Sequence, residues 1–194
     1  MYNHAWVMFL ALFAATVLQI LVTFSTPFIR VIYFLETLAF GGVRFGLWGY
    51  CYLSDNVCSP KSLGYTLKPE FSEAVLMQTL ILIPISAGIS ILALLCLFPL
   101  LCFPRLRYYP HPIFFLLTLL ACLTSLAAFI VMLVVFATVL SGLHAVGYTA
   151  SFGPAIWMEL SAAIVLVLVA FNAGCGTCLG GRFGRNPSYL PYNY

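Results

Sequence analysis

The feature that most constrains this chain is the length of its uncharged stretches. Ala5 to Phe24 carries no charged residue, and neither does Ala74 to Pro104. Between Arg107 and Glu159 lie 51 uncharged residues, and Leu160 to Gly181 is again free of charge. A helix needs about 20 apolar residues to cross a hydrocarbon core of about 30 Å. The stretches therefore predict four membrane spans, over residues 5–24, 76–102, 113–140 and 155–179. Several exceed the minimum, which implies tilt or extension beyond the bilayer. Composition agrees: 7% of residues are charged, against roughly 25% in a soluble domain. The net charge of +3 comes without a basic cluster, which argues against a nucleic-acid partner. The first stretch lacks a basic leader, outruns the usual signal core of about 7–15 residues and is followed by no small-residue cleavage site, so it is expected to stay as an uncut helix.

Charge alone does not orient the spans. With both termini in the cytosol, the inner segments hold Arg105, Arg107, Arg182 and Arg185, and the outer ones hold Arg30, Arg44, Lys61 and Lys68. Density favours that arrangement, because FPRLRYYPHP packs two arginines into a short link without an acid. Cysteines add a conditional argument. Of seven, only Cys51 and Cys58 lie in the long hydrophilic loop 25–73. If they pair, that loop faces an oxidising compartment and both termini are cytosolic.

Within the loop, Phe28 to Leu35 (FIRVIYFL) and Val43 to Leu53 (VRFGLWGYCYL) are rich in β-branched and aromatic residues and predict two strands, with ETLAFGG as a turn or short crossover. Period-two alternation would put Val43, Phe45, Leu47, Cys51 and Leu53 on one face, and Arg44, Trp48, Tyr50 and Tyr52 on the other. The expected product is a small antiparallel sheet standing on the membrane and stapled by Cys51–Cys58. Trp48 would anchor at the lipid interface or pack beneath the sheet.

The spans offer few polar groups. Glu159 is the one acid inside them; near the outer end of the fourth span it would reach the interface or accept hydrogen bonds from the loop, with Arg30 or Arg44 as donors. Gln19, Gln78 and Asn172 form no common helical stripe. Small residues in SAGIS (Ser86 to Ser90), at Ala121, Ser125 and Ala128, and at Ser161 to Ala163 suit close helix packing, and Pro84 is expected to kink the second span. Cys175 and Cys178 form one C-x-x-C pair where zinc wants four ligands; plain packing or reversible S-palmitoylation suits them and Cys102 at an inner membrane boundary. No nucleophile–base pair, phosphate loop, metal set or cofactor motif is present, so no enzyme is expected.

Four stretches in order carry a resemblance: STPFIRVIYFLE after the first span, VRFGLWGYC, CSPKSLGYTL, and FGPAIWMEL opening the fourth span. Together they resemble the claudin-like superfamily, and within it the PalI-type fungal four-span proteins, a group that includes an ambient-pH-response regulator and proteins of eisosome membrane domains. The resemblance covers most of residues 1–180; residues 181–194 would be a short cytosolic tail, unlike the long tail of the pH regulator. It implies an all-α membrane protein with a small extracellular β-sheet, built as a claudin-like four-transmembrane-helix bundle. It also implies a non-enzymatic accessory or scaffold protein of the fungal plasma membrane. The expected partners are another integral membrane protein (a sensor, channel or cell-wall synthase), a second copy of itself, and membrane lipids. A channel or channel-modulating subunit is the alternative. The loop residues expected to matter are Cys51, Cys58, Gly46 and Trp48 for shape, with Phe45 and Leu47 as partner contacts.

Overall fold

A computed structural model describes residues 2–38, 41–54, 57–60, 79–102 and 112–183; at residues 2–5, 79, 99–102, 112 and 175–183 it describes backbone only. Within these residues the spans are four helices: α1 (Tyr2–Thr23), α2 (Leu82–Cys102), α3 (Pro112–Ala145) and α4 (Pro154–Phe183). The helices over Trp6–Thr23, Ile113–Ala145 and Pro154–Gly174 are each long and apolar enough to cross a membrane. The 21 residues of α2 hold no charge and reach about 31 Å at about 1.5 Å per residue. Each helix packs on two neighbours, α1 and α3 both lying between α2 and α4, which closes the bundle.

Local chemistry explains the helix starts. α3 and α4 both open on proline, whose missing N–H costs nothing at the first helical position. The same reasoning corrects the expected kink. A 3-10 turn over Thr79–Ile81 delays α2 to Leu82, so Pro84 falls in its first turn, where no hydrogen bond is lost.

The segments that follow α1 and α3 build one sheet. Strands β1 (Leu35–Thr37), β2 (Val43–Phe45), β3 (Tyr50–Tyr52) and β4 (Ala150–Phe152) lie in the order β3-β2-β1-β4, all neighbours antiparallel. β4 comes from the short α3–α4 connection, so both outer segments are knitted together. Two sequence expectations change here. The run Phe28 to Leu35 is not a strand: it forms turns and bends, and β1 begins only at its last residue. Ile32 and Phe34 are instead buried in the core, so the apolar character that suggested a strand serves packing. And Val43 to Leu53 is two strands joined by a tight turn in which the Gly46 N–H donates to the Gly49 carbonyl (2.8 Å). The turn breaks the alternation. Arg44 stands opposite Cys51, while Val43 and Phe45 stand opposite Tyr52 and Tyr50, so the cysteine shares a face with the arginine and the tyrosines join the apolar face.

That apolar face rests on the outer end of α3. At 34 residues, this helix is about 51 Å long at about 1.5 Å per residue, well beyond the hydrocarbon thickness. Phe34 stacks on Phe136 with ring centroids 4.9 Å apart, an aromatic pair worth about 1 kcal/mol beyond its buried area. Val139 and Leu143 of α3 complete this outer core with Leu35, Val43 and Phe45. A second apolar core fills the inner part of the bundle around Leu12, Leu97, Phe114 and Leu166.

Candidate functional site

The stretch Gly46-Leu47-Trp48 works as a latch between the sheet and α1. The last carbonyls of a helix have no partner within it. The Trp48 indole Nε1–H donates to the carbonyl of Thr23, the final residue of α1, at 2.7 Å. The Leu47 N–H donates to the Ser25 hydroxyl at 3.1 Å, and its side chain is buried at 1% exposure. Gly46 is required by space: a Cβ there would run into the backbone carbonyl of Thr26. Gly153 has the same reason, since its Cβ would strike the Tyr33 carbonyl, and its N–H donates to the Phe34 carbonyl at 2.8 Å. Trp48 therefore packs at the foot of the sheet, edge-on to Phe28 with centroids 6.3 Å apart; Phe28 in turn meets Phe24 edge-on. Phe24 and Phe28 are exposed beside the end of α1.

Cys51 and Cys58 are joined, with S–S 1.99 Å and Cα–Cα 4.0 Å. The bond ties β3 to the segment that follows it, beside the Ser59 hydroxyl, which accepts from the Tyr50 N–H at 3.1 Å. Phe45 and Leu47, expected as partner contacts, are both buried in the outer core. They shape the sheet and offer no outer surface, because the latch draws them inward.

On the disulfide face, Arg44 pairs with Glu36 at 3.4 Å and stands 4.7 Å from the centre of the Tyr33 ring. Hydrogen bonding to Glu36, with burial next, holds the Tyr33 hydroxyl above its ordinary value. Burial first, then the neighbouring Tyr52, raises Tyr50 as well. A small cavity of about 70 Å³ opens beside Arg44, lined by Thr26, Arg30, Arg44, Cys51, Tyr52 and Leu53.

Glu159 takes a different place from the one expected. It is 0% exposed, and Arg44 belongs to Glu36. Its partners are in the bundle: the Ser125 hydroxyl of α3 donates to Oε1 at 3.2 Å. The Gln19 amide of α1 faces the same carboxyl, although Oε2 has no partner in bonding geometry among the described residues. Gln19 reaches α2 through both ends of its amide, donating to Ser86 at 3.2 Å and accepting from Ser90 at 2.8 Å. One polar layer thus ties all four helices together. It lies between the two apolar cores, flanked on α1 by Ala15 and Val22, on α3 by Ala121 and Ala128, and on α4 by Ile156 and Ala162.

No single helix reveals this layer, because α1, α3 and α4 each give one residue to it. The available signal was depth: Gln19 lies four residues inside the outer end of α1, Ser86 four inside that of α2, and Glu159 five inside that of α4. The small residues Ser86, Ala87, Ser90, Ala121, Ser125, Ala128, Ala162 and Ala163 are all buried within the bundle, whereas Ser161 faces outward and donates to the Trp157 carbonyl. Asn172 is also outward-facing, bonded to the Leu168 carbonyl. The side chains of Cys102, Cys175 and Cys178, together with Gln78, the link 103–111 and the tail 184–194, lie outside the described residues. Among the described residues no cluster of three metal-ligating side chains occurs.

A closed bundle of apolar helices, capped by one sheet made from both outer segments and latched to the first helix by Gly-Leu-Trp, defines a four-span membrane protein of the claudin-like class. The chain belongs to the SUR7/PalI family, whose sequence profile it matches over residues 4–171. That match takes in α2, α3, the sheet, the latch and the polar layer, all but the first residues of α1, and α4 as far as residue 171. No curated protein matches the sequence.

Proposed function

We propose that this SUR7/PalI-family protein is a non-enzymatic accessory or scaffold of the fungal plasma membrane that binds and organises other integral membrane proteins, with both termini in the cytosol. The observation that carries the reading is the pairing of β1 with β4. It fuses strands whose partners lie 113 to 117 residues apart into one platform, stapled by Cys51–Cys58 and seated on α3, from which Val31, Leu38, Val57 and Val146 project exposed apolar side chains. A rigid outer face loses little conformational freedom on binding. The closure of the polar layer by apolar cores above and below favours this reading over a conduit, since a permeation path wants a continuous polar lining.

Purification in mild detergent after brief cross-linking in intact cells is the test. A complex of fixed stoichiometry, with another membrane protein or with a second copy, is the expected result. A monomer that passes ions in liposomes, with flux abolished by Glu159→Gln, would overturn the reading in favour of a channel.

A further inference from the structure

We propose that the polar layer between the two apolar cores is a binding site for a sodium ion, with the Glu159 carboxylate as its anionic ligand. The inference goes beyond the adaptor reading and does not rest on it. Charge comes first. Glu159 is fully buried. The described groups that act on its carboxyl, the Ser125 hydroxyl and the Gln19 amide, are both neutral, and among the described residues the one ion pair joins Arg44 to Glu36. Oε2 has no partner in bonding geometry among the described residues. An ionised carboxylate in an apolar medium is costly unless a cation accompanies it. Both neighbours present donors to the carboxyl, the pattern that an ionised group takes; a carboxylic acid would need an acceptor for its own proton. A monovalent cation cancels the single charge, whereas a divalent one would leave the bundle positive.

Ligand chemistry comes second. Around the carboxyl the layer is built from oxygen: Ser125 of α3, Gln19 of α1, and Ser86 and Ser90 of α2, all fully buried. Oxygen donors suit hard cations. Ser125 Oγ and Glu159 Oε1 stand 3.2 Å apart. Sodium is close in radius to calcium, whose oxygen ligands lie about 2.3–2.6 Å away, so two oxygens at that spacing reach one ion together. Potassium is larger and would force them apart. Gln19 bonds Ser86 through its amide nitrogen and Ser90 through its amide oxygen. A serine hydroxyl both donates and accepts, so the amide can turn end for end, keep both bonds and offer its oxygen to the ion. Position comes third. Gln19, Ser86 and Glu159 lie four or five residues from the sheet-side ends of their helices, about 6–8 Å at about 1.5 Å per residue. The route in is short, yet Val22, Ile83 and Ile156 of the sheet-side core sit a turn closer to that end. The ion is therefore held and not passed on.

The experiment is a thermal melt of the full chain in detergent, with sodium chloride titrated against choline chloride at constant ionic strength, joined to equilibrium dialysis with radioactive sodium. The wild-type midpoint is expected to rise by about 3–6 °C at about tenfold the half-saturating sodium concentration. Potassium should do less, and dialysis should show sodium retained in a fixed ratio to the chain. Glu159→Gln should match or exceed the wild type in choline, gain nothing from sodium and retain none. Ser125→Ala should raise the half-saturating concentration about tenfold, in keeping with the loss of one charge-assisted contact. Should that variant fail to fold, Glu159→Gln decides, because it keeps the size and hydrogen bonding of the layer. A midpoint indifferent to sodium, or an equal rise in Glu159→Gln, overturns the proposal. So does a midpoint that follows pH alone, which would give the carboxyl a proton in place of the ion.

Discussion

Trp48 shows how one side chain can serve two elements. Its ring sits with Phe28 while its N–H caps α1. Trp48→Phe keeps an aromatic ring and deletes the donor, so it should cost about 1 kcal/mol, the net worth of one hydrogen bond, read as a lower thermal midpoint in detergent. An unchanged midpoint would mean that the cap carries no energy. Gly46→Ala should cost more, because the obstacle is the Thr26 backbone and not a movable side chain. In the bundle, Ser125→Ala removes the only donor in bonding geometry to the Glu159 carboxyl among the described residues, and a buried acceptor left without a partner costs about 1–3 kcal/mol. Glu159→Gln keeps size and hydrogen-bonding capacity while removing a group that has no cation beside it among the described residues, so stability in a sodium-free buffer should hold or rise. A large loss in Glu159→Gln, measured by the same thermal assay, would show that the layer depends on the carboxyl itself.

The elements differ in how openly the sequence declares them. Uncharged length alone located the helices, since a bilayer admits few other backbones. Gly46, Trp48 and the two cysteines stood out as a motif, but their task as a latch depended on where α1 ends. β4 escaped because ASF is three residues long and becomes a strand only by pairing with β1. The first strand was misplaced because Phe28 to Phe34 has strand composition yet is spent on packing: Ile32 and Phe34 face the core. The polar layer was hidden because its order exists across helices and not along one. Two element-level outcomes follow. Cys51→Ser with Cys58→Ser opens a loop with a sequence separation of 7, and the chain-entropy account assigns such a loop about 2–3 kcal/mol. The thermal midpoint should fall while helical circular dichroism stays constant. Phe136→Ala removes the ring on which Phe34 stacks and should cost about 3–5 kcal/mol. Faster reduction of Cys51–Cys58 by a mild thiol would then report a sheet loosened from α3; an unchanged reduction rate would detach the sheet's order from that contact.

For the molecule as a whole, the proposed adaptor role sets the stapled sheet outside the cell, on a bundle whose lipid-embedded part is closed by apolar cores and one polar layer. Family membership is consistent with that architecture, and the proposed adaptor role requires the sheet to face outward. Leu38, at the end of β1 and 73% exposed, is the place to ask. A Leu38→Cys chain in which Cys96, Cys102, Cys122, Cys175 and Cys178 are replaced by Ala, expressed in intact spheroplasts, should react with a membrane-impermeant maleimide before the membrane is opened, and permeabilisation should add nothing. Labelling that appears only after permeabilisation would put the sheet in the cytosol and contradict the account.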